Sequence, residues 1–293
     1  MLRCRQASLH NRLASLVATA ALALATPAAA GSVASDGEIA PPRRELALMG
    51  TIPIYWGEHD GFGDLLSGEG QVHWARAALE QEYQLAPLDY LSPEALAGKD
   101  LLVLAQPRGL TADENVALDA WVRAGGRLLL FVDPQMTGES RYGLGDRRRP
   151  QDVALLSPIL AHWGLELQFD PAQDPNGNLR EFAGHALPVR LSGAFSLREN
   201  ASSCALLAAD LVAQCGLGRG FALLVADAAM LDLADPAPEA AEALEVLTGL
   251  AFGNLAGMSG MDAAGDQNIA EIQDDTSNFS DLASAIEEAA SPP

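Results

Sequence analysis

Seven polar or aromatic residues sit where apolar runs end: Trp56, Glu58, His59, Gln106, Arg108, Asp133 and Asp227. Their types allow two kinds of chemistry. The triplet Glu58-His59-Asp60 together with Asp133 offers imidazole and carboxylate donors of the sort that suit zinc or manganese. The same set offers a ligand-binding rim of mixed sign, with an indole, a guanidinium, an amide and carboxylates. Nucleophilic catalysis needs a Ser, Cys or Lys beside a base. Neither "LAQP" (104–107) nor "FVDP" (131–134) supplies one, and no Gly-x-Ser-x-Gly elbow occurs in the chain. The expectation is therefore a non-catalytic binding site without metal or cofactor, a metal- or carbohydrate-dependent enzyme using the strand-end carboxylates being the alternative.

A rim of this kind has to be presented by strands. "DLLVLAQP" (100–107) and "RLLLFVDP" (127–134) are apolar without alternation, as expected of parallel strands covered on both faces. Between them "LTADENVALDAWVRAGG" predicts a helix. Thr111 serves as its N-cap and Glu114 completes a capping box. Val116, Leu118, Trp121 and Val122 form its expected apolar stripe, and Gly125 or Gly126 ends it. Strand, helix, strand is a crossover unit, and ligands of such sheets gather at the carboxyl ends of the strands. The two glycines precede a strand and not a helix, so they do not form a phosphate cradle.

Upstream, "ELALMGTIPI" predicts a first strand over 45–54. A Gly-rich loop, a helix over "QVHWARAALEQEY" and a short strand in "QLAPLDYL" follow. Downstream come a helix over "DVALLSPILAHWG", a strand over "LELQFDP" and a loop over 170–184. "ALPVRLSGAFSL" predicts a strand or hairpin, "DLVAQCGLGRGFALLVAD" an antiparallel hairpin, and "EAAEALEVLTGLAFGNLAG" a closing helix. "GLGRG" lacks the Walker pattern and reads as a turn. His73 and His162 are expected on helix surfaces. Arg147–Arg149, the one basic cluster, is either a solvated loop or a dock for an acidic partner or the protein's own acidic tail.

Residues 1–30 carry Arg3, Arg5 and Arg12, an apolar run and Ala28-x-Ala30, the layout of a cleavable secretory signal. An uncleaved anchor is the other reading. Residues 31–44 are a polar linker, 45–260 the α/β domain, and 261–293 a tail with eight acids and no base, expected to be disordered. Losing three arginines takes the net charge from −21 to −24, which disfavours a nucleic-acid partner. After Cys4 is removed, Cys204 and Cys215 remain. They either form a bond or stay reduced on separate strands. The mature chain is expected to be periplasmic or secreted and to span no membrane.

The order "DLLVLAQPRGLTADENVALDAWVRAGGRLLLFVDP", "LLSPILAHWGLEL", "GLGRGFALLVADAAML" resembles the GldG-like family of ABC-transporter auxiliary proteins over roughly residues 45–257. The resemblance implies a flavodoxin-like, class I glutamine-amidotransferase-like sheet without the amidotransferase nucleophile, with flanking helices and a C-terminal antiparallel hairpin. It also implies a partnership with an ABC-2-type permease and its ATPase, or another envelope protein, and a possible carbohydrate ligand. The chain is expected to depart from longer members in carrying no carboxyl-terminal transmembrane helix.

Overall fold

The computed structural model describes residues 43–57, 72–138, 140–143, 145–199, 203–232, 236 and 238–253. The expected signal segment, most of the linker, Glu58, His59 and the acidic tail lie outside these residues.

The first half of the domain alternates strands and helices. Strands β1 (Arg44–Gly50), β2 (Tyr83–Pro87), β3 (Leu101–Ala105) and β4 (Arg127–Phe131) are joined through helices α1 (Trp74–Glu82), α2 (Pro93–Leu96) and α3 (Ala112–Arg123). Helix α4 (Ser157–His162) follows. Strands β5 (Leu165–Phe169), β6 (Asn178–Phe182), β7 (His185–Val189), β8 (Gly193–Leu197), β9 (Cys204–Leu207), β10 (Val212–Leu217) and β11 (Gly220–Val225) come next. A 3-10 turn (Ala229–Asp232) and helix α5 (Pro238–Phe252) close the described chain.

The main sheet has seven strands in the order β2-β1-β3-β4-β11-β10-β9. The first five are parallel, while β10 runs antiparallel to both β11 and β9. Strand β11 thus belongs to the parallel array as well as to the expected hairpin. Every residue of β3, and all of β4 after Arg127, is buried, so both faces of the sheet centre are covered. Each fully buried Leu or Phe there contributes about 2 kcal/mol of hydrophobic stabilisation. Strands β5 and β8 pair separately, as do β6 and β7.

Local chemistry accounts for the boundaries. Thr111 Oγ1 accepts the Glu114 N–H while the Glu114 carboxylate accepts the Thr111 N–H, the capping box that starts α3. At its far end Gly125 has φ +123°, and a Cβ on Gly126 would lie 2.5 Å from the Trp121 indole. Both glycines are there for the backbone. The β10–β11 turn is equally tight, with Leu217 paired to Gly220 and Gly218 at φ +62°.

Several expectations are revised. The first strand stops at Gly50, short of Pro53, which cannot donate to a ladder, and only glycine fits at position 50, where a Cβ would meet Ala105 O at 2.1 Å. Val116 is 70% exposed; the buried side of α3 is Glu114, Ala117, Leu118 and Val122, spaced i, i+3, i+4, i+8. The helix expected over 152–164 shrinks to α4. The loop expected over 170–184 contains β6, a polar strand with four exposed residues that carries no hydrophobic alternation. His73 is not a surface residue of α1: it caps the helix through Nδ1, and its Nε2 bonds Leu231 O at 2.8 Å. Cys204 and Cys215 are directly opposite on β9 and β10 and form a disulfide.

Candidate functional site

The carboxyl ends of β1, β3, β4 and β11 lie along one edge of the sheet, and four of the residues expected to form a rim are found there. Gln106 follows β3 in the left-handed region, at φ +46°. Its side chain is completely buried. Nε2 donates to the carbonyls of Asp133 (2.9 Å) and Gln151 (3.0 Å), and Oε1 accepts the Asp133 N–H (2.8 Å). Its own carbonyl accepts Thr51 N–H and Thr51 Oγ1–H, and Thr51 Oγ1 in turn accepts the Gln151 N–H. Gln106 therefore ties together the ends of β1 and β4 and the loop leading to Gln151. A backbone conformation costing of order 1–3 kcal/mol is held by these bonds.

Asp133 and Asp227 are also buried. Asp133 accepts the N–H groups of Gln135 (2.8 Å) and Ala228 (3.1 Å). Asp227 accepts those of Arg190 (2.9 Å) and Ala229 (2.8 Å). Burial pushes the Asp133 carboxyl up to about 6 against the pull of these N–H donors, with Asp232 adding repulsion. Burial, then the charge of Asp133, holds Asp227 well above the ordinary carboxylate range. The pair joins the ends of β4 and β11 to the 3-10 turn and to the start of the β7–β8 connection.

Arg108 forks onto Glu114, with Nη1 and Nη2 each 2.8 Å from a carboxylate oxygen, and its Nη2 also reaches Asp89 O at 3.0 Å. Glu114 is fully buried and also accepts the Leu91 N–H. Burial alone would raise the Glu114 carboxyl. Hydrogen bonds from Arg108, Thr111 and Leu91 outweigh it and hold the group down at about 2.

Gln106, Arg108, Asp133 and Asp227 thus point their polar atoms into the scaffold. A cleft of about 510 Å³ lies over the ends of β1 and β2, and none of these four side chains lines it. Of the expected rim residues, Trp56 lines this cleft, 62% exposed and edge-on to Tyr55. Thr51, Asp89, Tyr142, Arg147 and Arg148 line it too and were not in the expected set. The signal that could have found two of them is the arginine cluster, an exception in so acidic a chain. Among the described residues, no group of three or more His, Cys, Asp or Glu is placed to hold a metal ion. None of the described helices is long and apolar enough to cross a membrane.

The fold and cleft define a class: a mixed α/β domain with a mostly parallel sheet, flanking helices, added antiparallel hairpins and a strand-end cleft. Residues 67–183 match the model of a family described as "ABC-type uncharacterized transport system", an auxiliary family, so the resemblance carried by the sequence motifs is found over that span. No curated protein matches the chain. Among solved structures, the N-terminal domain of mmIFT52 is similar at 15% identity and a TM-score of 0.46, over 71% of this chain and 98% of that one. A β-galactosidase from Bacillus circulans sp. alkalophilus is similar at 14% identity and TM-score 0.41, over 74% of this chain and 31% of that one. The exo-β-1,4-mannosidase Op5Man5 from Opitutaceae bacterium strain TAV5 gives 14% and 0.39, over 64% and 31%. The chain spans about a third of the length of these glycosidases. Likeness at this level says nothing about activity.

Proposed function

We propose that the protein is a non-catalytic, ligand-binding auxiliary component of an ABC-2-type transport system, acting in the periplasm. The observation that carries this reading is the family match over residues 67–183, which includes both walls of the β3–β4 crossover. The parallel strands, numbered in their own order, run 2-1-3-4-5, which supports a flavodoxin-like assignment. In that order the direction of winding reverses between β1 and β3, and the cleft lies over the neighbouring ends of β1 and β2. The disulfide fits an oxidising compartment. A carbohydrate is the ligand class that the family resemblance implies.

The test is affinity capture of the tagged full chain from native membranes after mild cross-linking. Recovery of a permease or ATPase subunit is expected. Repeated capture of the chain alone, with the tag at either end, removes the proposal.

One observation favours a second reading, an enzyme using strand-end carboxylates: the raised carboxyls of Asp133 and Asp227, since such shifts collect at active sites. Each carboxylate oxygen, however, already accepts one backbone N–H, which accounts for the burial without a substrate. Glycosidase assays on the wild type and Asp133→Asn separate the two; turnover abolished by the substitution would favour the enzyme.

A further inference from the structure

The cleft over β1 and β2 has a composition that selects a ligand. We propose that it holds a small, ring-bearing hydroxy acid such as a uronic acid, with the acid group on Arg147 and Arg148, hydroxyls on Asp89 and the ring against Trp56. This rests on reading the cleft as the binding site and adds the chemistry of the ligand.

The arginine wall is pre-organised. Asp146 Oδ1 accepts the Arg148 N–H at 2.9 Å and closes a turn. Arg149 anchors the loop, with Nη1 on Tyr142 O (3.1 Å) and Nε and Nη2 on Asp152 (3.1 and 3.0 Å). Arg148 gives Nε and Nη2 to Asp146 and lies 4.2 Å over the Tyr142 ring, so its Nη1 edge is the one left to a ligand. Arg147 makes no ion pair among the described residues, and it is the cation here with its full charge to offer. Gln106 braces this wall from below through the carbonyl of Gln151.

The cleft also holds an acceptor. Asp89 is exposed with its carboxylate unpaired among the described residues, while its main-chain carbonyl is gripped by Arg108. A carboxylate among the residues lining a cleft accepts hydroxyl donors and repels a simple anion. The ligand must therefore carry both an acid group and hydroxyls. Trp56 supplies an open aromatic face for the C–H side of a ring. The cleft volume lies in the range of small-molecule sites, about 300–1,000 Å³.

The experiment compares a matched pair, D-glucuronate and D-glucose, by calorimetry and by NMR of the tryptophan indole and arginine Nε–H signals of the full chain. Inorganic phosphate and phenylalanine serve as further probes. Glucuronate is expected to bind at least ten-fold more tightly than glucose. Arg147→Ala should remove that preference, and Asp89→Asn should weaken both sugars by a few-fold while far-ultraviolet circular dichroism stays the same. Equal binding of the two sugars overturns the acid selection and leaves the binding-module reading in place. Binding of phosphate or phenylalanine without glucuronate overturns the hydroxy-acid identity. No shift at Trp56 or Arg147 with any of the four overturns the cleft as a site at all, whereas transporter association is decided independently by affinity capture.

Discussion

Asp133 and Asp227, at the ends of neighbouring parallel strands, accept the N–H groups of consecutive residues: Ala228 goes to Asp133 and Ala229 to Asp227. Two carboxylates thus grip one stretch of backbone from two strands. With the Asp133 carboxyl raised to about 6 and that of Asp227 also raised by burial, the folded state holds protons that the unfolded chain releases near pH 4. The sign follows: this stabilisation is complete below about pH 4 and declines as pH rises through 6. Stability by urea unfolding is expected to fall by roughly 1–3 kcal/mol between pH 5 and pH 8. Asp133→Asn should flatten the slope. A slope unchanged by the substitution would show that other groups set it.

Arg108 and Glu114 behave in the opposite sense. The Glu114 carboxyl is held at about 2, so its contribution is present above the ordinary glutamate value and is lost as pH falls through 2. Arg108→Ala leaves a buried carboxylate without its cation and is expected to cost about 3 kcal/mol at pH 7, the low end for a broken buried pair because Arg108 is partly exposed. The penalty should shrink below pH 4, where Glu114 in the variant takes up a proton. Denaturant midpoints at pH 7 and pH 3 check both parts.

Replacing Cys204 and Cys215 together by serine is expected to lower stability by about 2–3 kcal/mol, the entropy of a loop this short. Chemical unfolding of the wild type with and without dithiothreitol should give the same difference. An identical midpoint in both conditions would mean that pairing within β9 and β10 suffices alone.

Gly50→Ala should be more harmful than a surface glycine change. Its Cβ would sit 2.1 Å from Ala105 O, and a main-chain carbonyl inside a parallel pair cannot step aside. A loss of about 3 kcal/mol or more is expected. Because Thr51 comes next, the substitution should also loosen its bond to Gln106 O, visible as faster amide exchange at Thr51 and Gln151.

How far the sequence reached depends on the range of the forces involved. Continuous apolar runs and a capping box act within a dozen residues, so β3, α3 and β4 were readable. The strand-end positions of Gln106, Arg108, Asp133 and Asp227 were readable for the same reason. Their partners were not. Gln106 bonds residues 27 and 45 positions away, and nothing local says that its amide faces inward. Strand β6 is polar and exposed, so it shows no period, and β9 is too short to show one. The cleft draws Trp56, Asp89 and Arg147 from three separate loops, which only the sheet order brings together.

The register of β9 on β10 gives the disulfide a meaning beyond cohesion. Cys215 is fully buried and meets Cys204 only in the pairing Val212 to Leu207 through Cys215 to Cys204. A slip of one residue would turn the two sulfurs to opposite faces of the sheet. The bond can close only on a correctly aligned edge, and once closed it bars the strand from sliding or being traded with another chain. The cross-link is a covalent record that the outermost part of this molecule was assembled in the right frame.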